Sequence, residues 1–159
     1  MAVTTVSGIE ELRAKAGQHL GYSSWYEITQ DKVNSFADAT DDHQWIHVDV
    51  ERAKTGPFGG PIVPGYLTLS LVARLLPEVI DIQGSSLIIN YGCNRVRFPA
   101  PVPVGKRLRL GVALNTVKDA SGGVQATLAL TFELEAASKP ACVAEVVYLI
   151  IYATPSAAK

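Results

Sequence analysis

Cysteine is nearly absent. Cys93 and Cys142 stand far apart and form no Cys-x-x-Cys pair and no ligand cluster, so the expectation is two reduced, half-buried thiols in an intracellular protein. Long apolar runs are absent too: the longest, "VVYLII" at 146–151, is far too short to span a bilayer. The first residues, "MAVTTVSGIEELRAKAG", lack the charged-then-apolar order of a signal segment. No basic stripe stands out and the formal net charge is -1, which excludes nucleic acid as an expected partner. That balance also gives no attraction to a membrane surface or to strongly acidic substrates. Internal repeats and low-complexity segments are missing. The chain is expected to be cytoplasmic and soluble.

What is present is one domain's worth of chain. Its 159 residues, 48% hydrophobic, are enough to bury a core without staples. "SGIEELRAKAG" at 7–17 has a short helical period with Ser7 as a possible cap, and "SSWYEIT" at 23–29 reads as a strand. "TQDKVNSFADAT" at 29–40 reads as a helix: Thr29 caps it, and Val33, Phe36 and Ala37 share a face. "VDVERAKTG" at 48–56 predicts one or two further turns stopped by Gly56, followed by a Gly/Pro-rich loop at 56–65. "PGYLTLSLVARLLPEV" at 64–79 is apolar on nearly every face, which predicts a buried helix with Pro64 in its first turn. From residue 80 on the character changes. The segments 85–98, 105–119, 124–136 and 140–153 are rich in β-branched residues and partly alternate, as long strands do. "SGG" at 121–123 signals a hairpin, and Gly92 a bulge or a close backbone approach. One long helix wrapped by a curved antiparallel sheet, an α+β arrangement, is the simplest way to bury 65–76.

The densest chemistry lies in "ATDDHQWIH", residues 39–47. His43 and His47 are four apart, a spacing that can put two imidazoles on one helical face. Position 44 is Gln44 rather than the glutamate of His-Glu-x-x-His, however, and the remaining histidine, His19, is in an unrelated segment, so no metal is expected. Nucleophilic catalysis has no footing either: neither cysteine neighbours a histidine and no Gly-x-Ser-x-Gly occurs. "GPFGG" lacks the Lys-Ser/Thr of a phosphate loop. General acid–base chemistry fits best. If the segment forms one irregular turn, the Asp42 carboxylate and the His47 imidazole converge on one site and together can hold and deprotonate a water. By spacing alone the plainer reading stays open and is favoured: Asp42 caps the next turn and His47 is a satisfied, half-buried histidine. His43 and Trp45 read as surface and packing residues.

The stretch "FADATDDHQWIHVDVERA" (36–53) resembles the signature of the MaoC-like (R)-specific enoyl-CoA hydratases. Thr40, Asp42, Ile46, His47, Asp49 and Ala53 match it, while Gln44 and Trp45 replace its Asn-Pro. "DHQWIHVD" is similar to the nodulation-protein-N-like subgroup. The resemblance continues through "GPFGGPIVPGYLTLSL" and "INYGCNRVRFPAPVPVGKRL", covering about 22–152. It implies a hotdog fold over residues 1–159 and reversible addition of water to a trans-2-enoyl-CoA, giving an (R)-3-hydroxyacyl-CoA. It also implies a catalytic pair Asp42 and His47, a thioester-carbonyl donor at the Gly65 backbone N–H, and Gln44 as a water- or turn-positioning amide. No cofactor is implied, since coenzyme A is part of the substrate. The expected partners are an acyl-CoA thioester and a second copy in a homodimer. Which of Asp42 and His47 moves each proton stays open. So does whether Arg95 and Arg97 face solvent or coenzyme phosphates.

Two residues depart from the pattern. Asp41 stands where relatives have Gly, and Pro64 where they often have His. Aspartate tolerates a left-handed backbone better than most residues. Pro64 removes an imidazole and an N–H from the mouth of the site, which predicts altered substrate preference or rate rather than a lost fold. Two other readings stay open beside the hydratase: a hotdog acyl-CoA thioesterase, and a non-catalytic acyl-thioester-binding subunit.

Overall fold

The computed structural model describes residues 2–152. In chain order these form β1 (Thr4–Ser7), α1 (Gly8–Ala14), β2 (Gln18–Tyr22), β3 (Tyr26–Glu27), α2 (Gln30–Thr40), α3 (Trp45–Val48) and α4 (Val50–Lys54). Next come α5 (Gly65–Ser70), α6 (Val72–Leu75), a 3₁₀ turn (Leu76–Glu78), β4 (Ile80–Gln83), β5 (Ser85–Arg97), β6 (Arg107–Ala120), β7 (Gly123–Leu134) and β8 (Cys142–Tyr152). An antiparallel sheet runs in the order β2-β6-β7-β8-β5, with β3 also paired to β6.

Period-two patterning builds this sheet. On β7, Val124, Ala126, Leu128, Leu130 and Phe132 are buried, while the residues between them are half-exposed. The inward row packs with Leu67, Leu71 and Leu75 of the helical segment. The four long strands fall within two or three residues of the expected bounds. Ala153, expected to close the last one, lies outside the described residues. The 121–123 hairpin forms, with Ala120 opposite Gly123. The register shifts between Asn90 and Gly92, as the glycine there implied.

Four expectations need correction. The helix expected over 64–79 is broken at Leu71 and tightens to a 3₁₀ turn at 76–78. Pro77 has no N–H for the carbonyl one turn back, so the last turn cannot stay α-helical. Nor is that helix buried all round: Tyr66 is 74% exposed, because the sheet of one chain covers only one of its faces. The strand expected over 23–29 shrinks to β3, and β2 lies just before it. The Ser23 hydroxyl accepts from the Leu110 N–H at 2.9 Å, substituting for a ladder carbonyl at that point. Ser7 precedes α1, but its side chain makes no cap; its N–H instead donates to Glu11 Oε2 at 2.7 Å. The parallel pair β1–β4 was not foreseen.

Candidate active site

The site begins at the end of α2. Thr29 Oγ1 accepts from the Lys32 N–H and starts the helix, as expected. Asp41 ends it in the left-handed conformation, φ 55° and ψ 20°, which reverses the chain. Asp41 itself is exposed, and the reversal delivers Asp42, half-buried, to the next segment.

Gln44 then joins the two candidate catalytic residues. Its side-chain Nε2 donates to Asp42 Oδ1 at 3.2 Å. Its backbone carbonyl, at the cap of α3, accepts from the His47 N–H at 3.0 Å. His47 is only 6% exposed, and its ring donates from Nδ1 to the Ile62 carbonyl at 2.7 Å. The Ile62 N–H returns a bond to the Ile46 carbonyl at 2.9 Å. The loop carrying Ile62 is itself laddered to the chain ahead of β6: Val63 N–H to Val102 O at 2.8 Å and Val104 N–H to Pro61 O at 3.0 Å. The Gly/Pro-rich segment is therefore a strap that fixes the imidazole.

A residue that sequence reasoning missed completes the frame. Gln30, the first residue of α2, donates from Nε2 to the His47 carbonyl at 2.8 Å. Its Oε1 is buried without a partner. No local spacing signals a contact across 17 residues.

Gly65 opens α5 three residues past Ile62, with Pro64 at the cap position rather than inside the first turn. The first N–H groups of a helix have no intrahelical partner. A side chain at 65 would stand 3.1 Å from the Phe98 ring, so glycine permits that packing. His43 is turned away from the site: it is exposed, bonded to Asp38 at 2.8 Å, and that bond raises its pKa. The two histidines thus do not share a site. Trp45 packs beneath the Arg52 guanidinium at 4.4 Å. Arg95 and Arg97 are exposed on β5. Cys93 is exposed rather than half-buried, while burial pushes the Cys142 thiol up to about 11. No described helix is long and apolar enough to cross a membrane.

A cavity of about 410 Å³ lies along the C-terminal half of the central helical segment, a size suited to a small-molecule chain. Val72, Ala73 and Leu76 form one wall; Ile88, Leu128 and Ile150 contribute to the other. Gly65, Leu69, Val72 and Leu76 fall on one helical stripe. Phe98, just past the end of β5, stands against Gly65, and Ile88 of β5 lines the cavity together with Leu76.

Residues 11–133 match the family described as MaoC like domain. The chain is 54% identical over 142 residues to 3-hydroxyacyl-thioester dehydratase Z of Mycobacterium tuberculosis, covering 89% of this chain and 94% of that protein. It is 37% identical over 145 residues to Nodulation protein N of Rhizobium leguminosarum bv. viciae, covering 89% and 90%. Among solved structures, the (R)-hydratase from A. caviae involved in PHA biosynthesis superposes with TM-score 0.68 at 26% identity, covering 84% of this chain and 94% of that one.

Proposed function

The chain belongs to the MaoC-like domain family, and from that premise we propose that it is an (R)-specific enoyl-CoA hydratase acting reversibly between trans-2-enoyl and (R)-3-hydroxyacyl thioesters. At the coarser level it is a hydro-lyase of the MaoC hydratase/dehydratase type, with a hotdog fold. The observation that carries the finer reading is the His47–Gln44–Asp42 linkage.

The chemistry follows from the proton positions. A carbonyl only accepts, so in neutral His47 the Nδ1 carries the proton and Nε2 keeps its lone pair. That lone pair and the Asp42 carboxylate hold one water between them. The water oxygen bonds C3 of the enoyl group, and the C2=C3 electrons shift through C1 toward the thioester oxygen. One water proton passes to Asp42 or His47, and as the enolate electrons return C2 takes a proton from one of these two groups. The developing enolate oxygen is met by the Gly65 N–H, whose loss as a donor would cost about 3–4 kcal/mol of transition-state stabilisation. The acyl chain follows the Gly65–Leu76 stripe into the cavity.

A second copy is the proposed partner. β5 is an edge strand with Leu87, Ile88, Ile89 and Tyr91 exposed, and Tyr66 of α5, edge-on to Phe98, is exposed as well. Exposed apolar edges of this length are normally covered.

The test is crotonyl-CoA with chiral analysis of the product. Loss of the conjugated absorbance with formation of (R)-3-hydroxybutyryl-CoA is expected. Release of free coenzyme A in place of hydration would mean a thioesterase, and binding without turnover a non-catalytic subunit.

A further inference from the structure

The cavity wall carries two polar groups that the hydration chemistry does not use. Asn90 on β5 and Tyr148 on β8 are direct cross-strand partners, and both line the cavity. Their surroundings on that wall are aliphatic, with Ile88 beside Asn90 and Ile150 beside Tyr148. Tyr148 is 8% exposed. The neighbouring polar side chains of β5 are satisfied within the protein: Ser86 Oγ donates to Ile151 O at 3.2 Å and Asn94 Nδ2 to Glu145 Oε1 at 2.7 Å. Among the described residues the Asn90 amide and the Tyr148 hydroxyl have no such partner, and the hydroxyl is not sealed in the core but opens to the cavity.

Because the hydroxyl opens to the cavity, a polar group of a bound molecule can reach it, whereas phenylalanine would fill the same volume and offer none. The pair offers an amide and a phenol, donors and acceptors in one place. Burial holds the Tyr148 pKa above the usual range, so the phenol stays protonated. Ala73, which lines the same cavity as Asn90 and Tyr148, is eight residues beyond Gly65 along the two helices α5 and α6, at most roughly 12 Å at 1.5 Å per residue. A group held at this depth is far from C2 and C3 and is not the hydroxyl that the reaction makes.

We propose that the cavity selects acyl thioesters whose chain carries a neutral oxygen, a hydroxyl or an oxo group, near its far end, held by Asn90 and Tyr148. This rests on the reading that a thioester is bound with its carbonyl at Gly65. Asp81 also lines the cavity, so a chain ending in a carboxylate meets like charge there and is rejected.

The experiment is calorimetric titration of the wild-type protein with saturated acyl-CoAs, which cannot be hydrated. The chain is varied from about eight to about fourteen carbons, in plain, ω-hydroxylated and ω-carboxylated forms. At the matching length the hydroxylated chain binds about tenfold tighter than the plain one, and the carboxylated chain binds weakest. Tyr148→Phe and Asn90→Leu each bring the hydroxylated-to-plain ratio near one. Asn90 is exposed, so its variant keeps the test available if the tyrosine variant does not fold. Equal or tighter binding of plain chains at every length, or a preference that survives both substitutions, overturns the proposal. Preference without crotonyl-CoA turnover would leave this inference standing and remove the hydratase; turnover without preference would do the reverse.

Discussion

The His47 ring and the Ile62 carbonyl are joined by a 2.7 Å hydrogen bond that can run only one way. The carbonyl has no proton to give, so Nδ1 donates and in the neutral ring Nε2 keeps its lone pair. His47→Asn separates the two nitrogens, because the asparagine amide can reach Ile62 from nearly the Nδ1 position but presents nothing at Nε2. The fold should persist, with a melting temperature near wild type, while turnover of crotonyl-CoA falls by about 10² or more. Turnover within a few-fold of wild type would remove His47 from the chemistry.

Gly65→Ala separates sterics from the backbone donor. The new methyl would stand 3.1 Å from the Phe98 ring, and either the ring or the helix start must move. Turnover should fall about tenfold or more. Gly65→Ala with Phe98→Leu should recover much of that loss, because the N–H is still present and the ring is gone. If the double variant is as slow as the single one, ring crowding is not the cause.

The edge strand tests the second copy. Leu87 is 54% exposed on β5, and a lysine there opposes strand-to-strand pairing. Sedimentation should show the wild type as a dimer and Leu87→Lys shifted toward monomer. A wild-type monomer at working concentrations would contradict the homodimer.

His43 and Asp38 give a pH signature in stability. The bond to Asp38 raises the folded-state pKa of His43, so its contribution is fully present below the ordinary histidine value and fades as pH rises through the raised one. Melting temperature followed from about pH 5 to pH 8 should show a small stabilisation at the acid end that Asp38→Asn removes. Parallel curves for the two proteins would show that the pair contributes nothing.

Much of this arrangement was legible in the residues, and the parts that were not share a cause. Thr29 with the Val33/Ala37 face specified α2, and the alternation from Val124 to Phe132 specified β7, because both are local periodicities set by one burial direction. That Asp42, Gln44 and His47 lie in one short turn was legible from their spacing, whereas the roles proposed for them rest on the family resemblance. Gln30 and the Ile62 carbonyl were not: one acts across a gap of 17 residues and the other is a backbone group that no side-chain pattern marks. The open face around Tyr66 was misread as buried, since hydropathy alone does not distinguish a core from an exposed apolar surface. The Asn90–Tyr148 juxtaposition depends on the β5–β8 register, which the bulge at Asn90/Gly92 shifts.

The central claim is that Asp42 and His47 together activate a water on an enoyl thioester. It is tested most directly by following crotonyl-CoA hydration in wild type and Asp42→Asn. Asparagine keeps an Oδ1 acceptor for the Gln44 amide, so the turn should hold while the carboxylate charge is lost. The account predicts turnover in wild type and a fall of about 10² or more in the variant. Equal rates in the two proteins would contradict it.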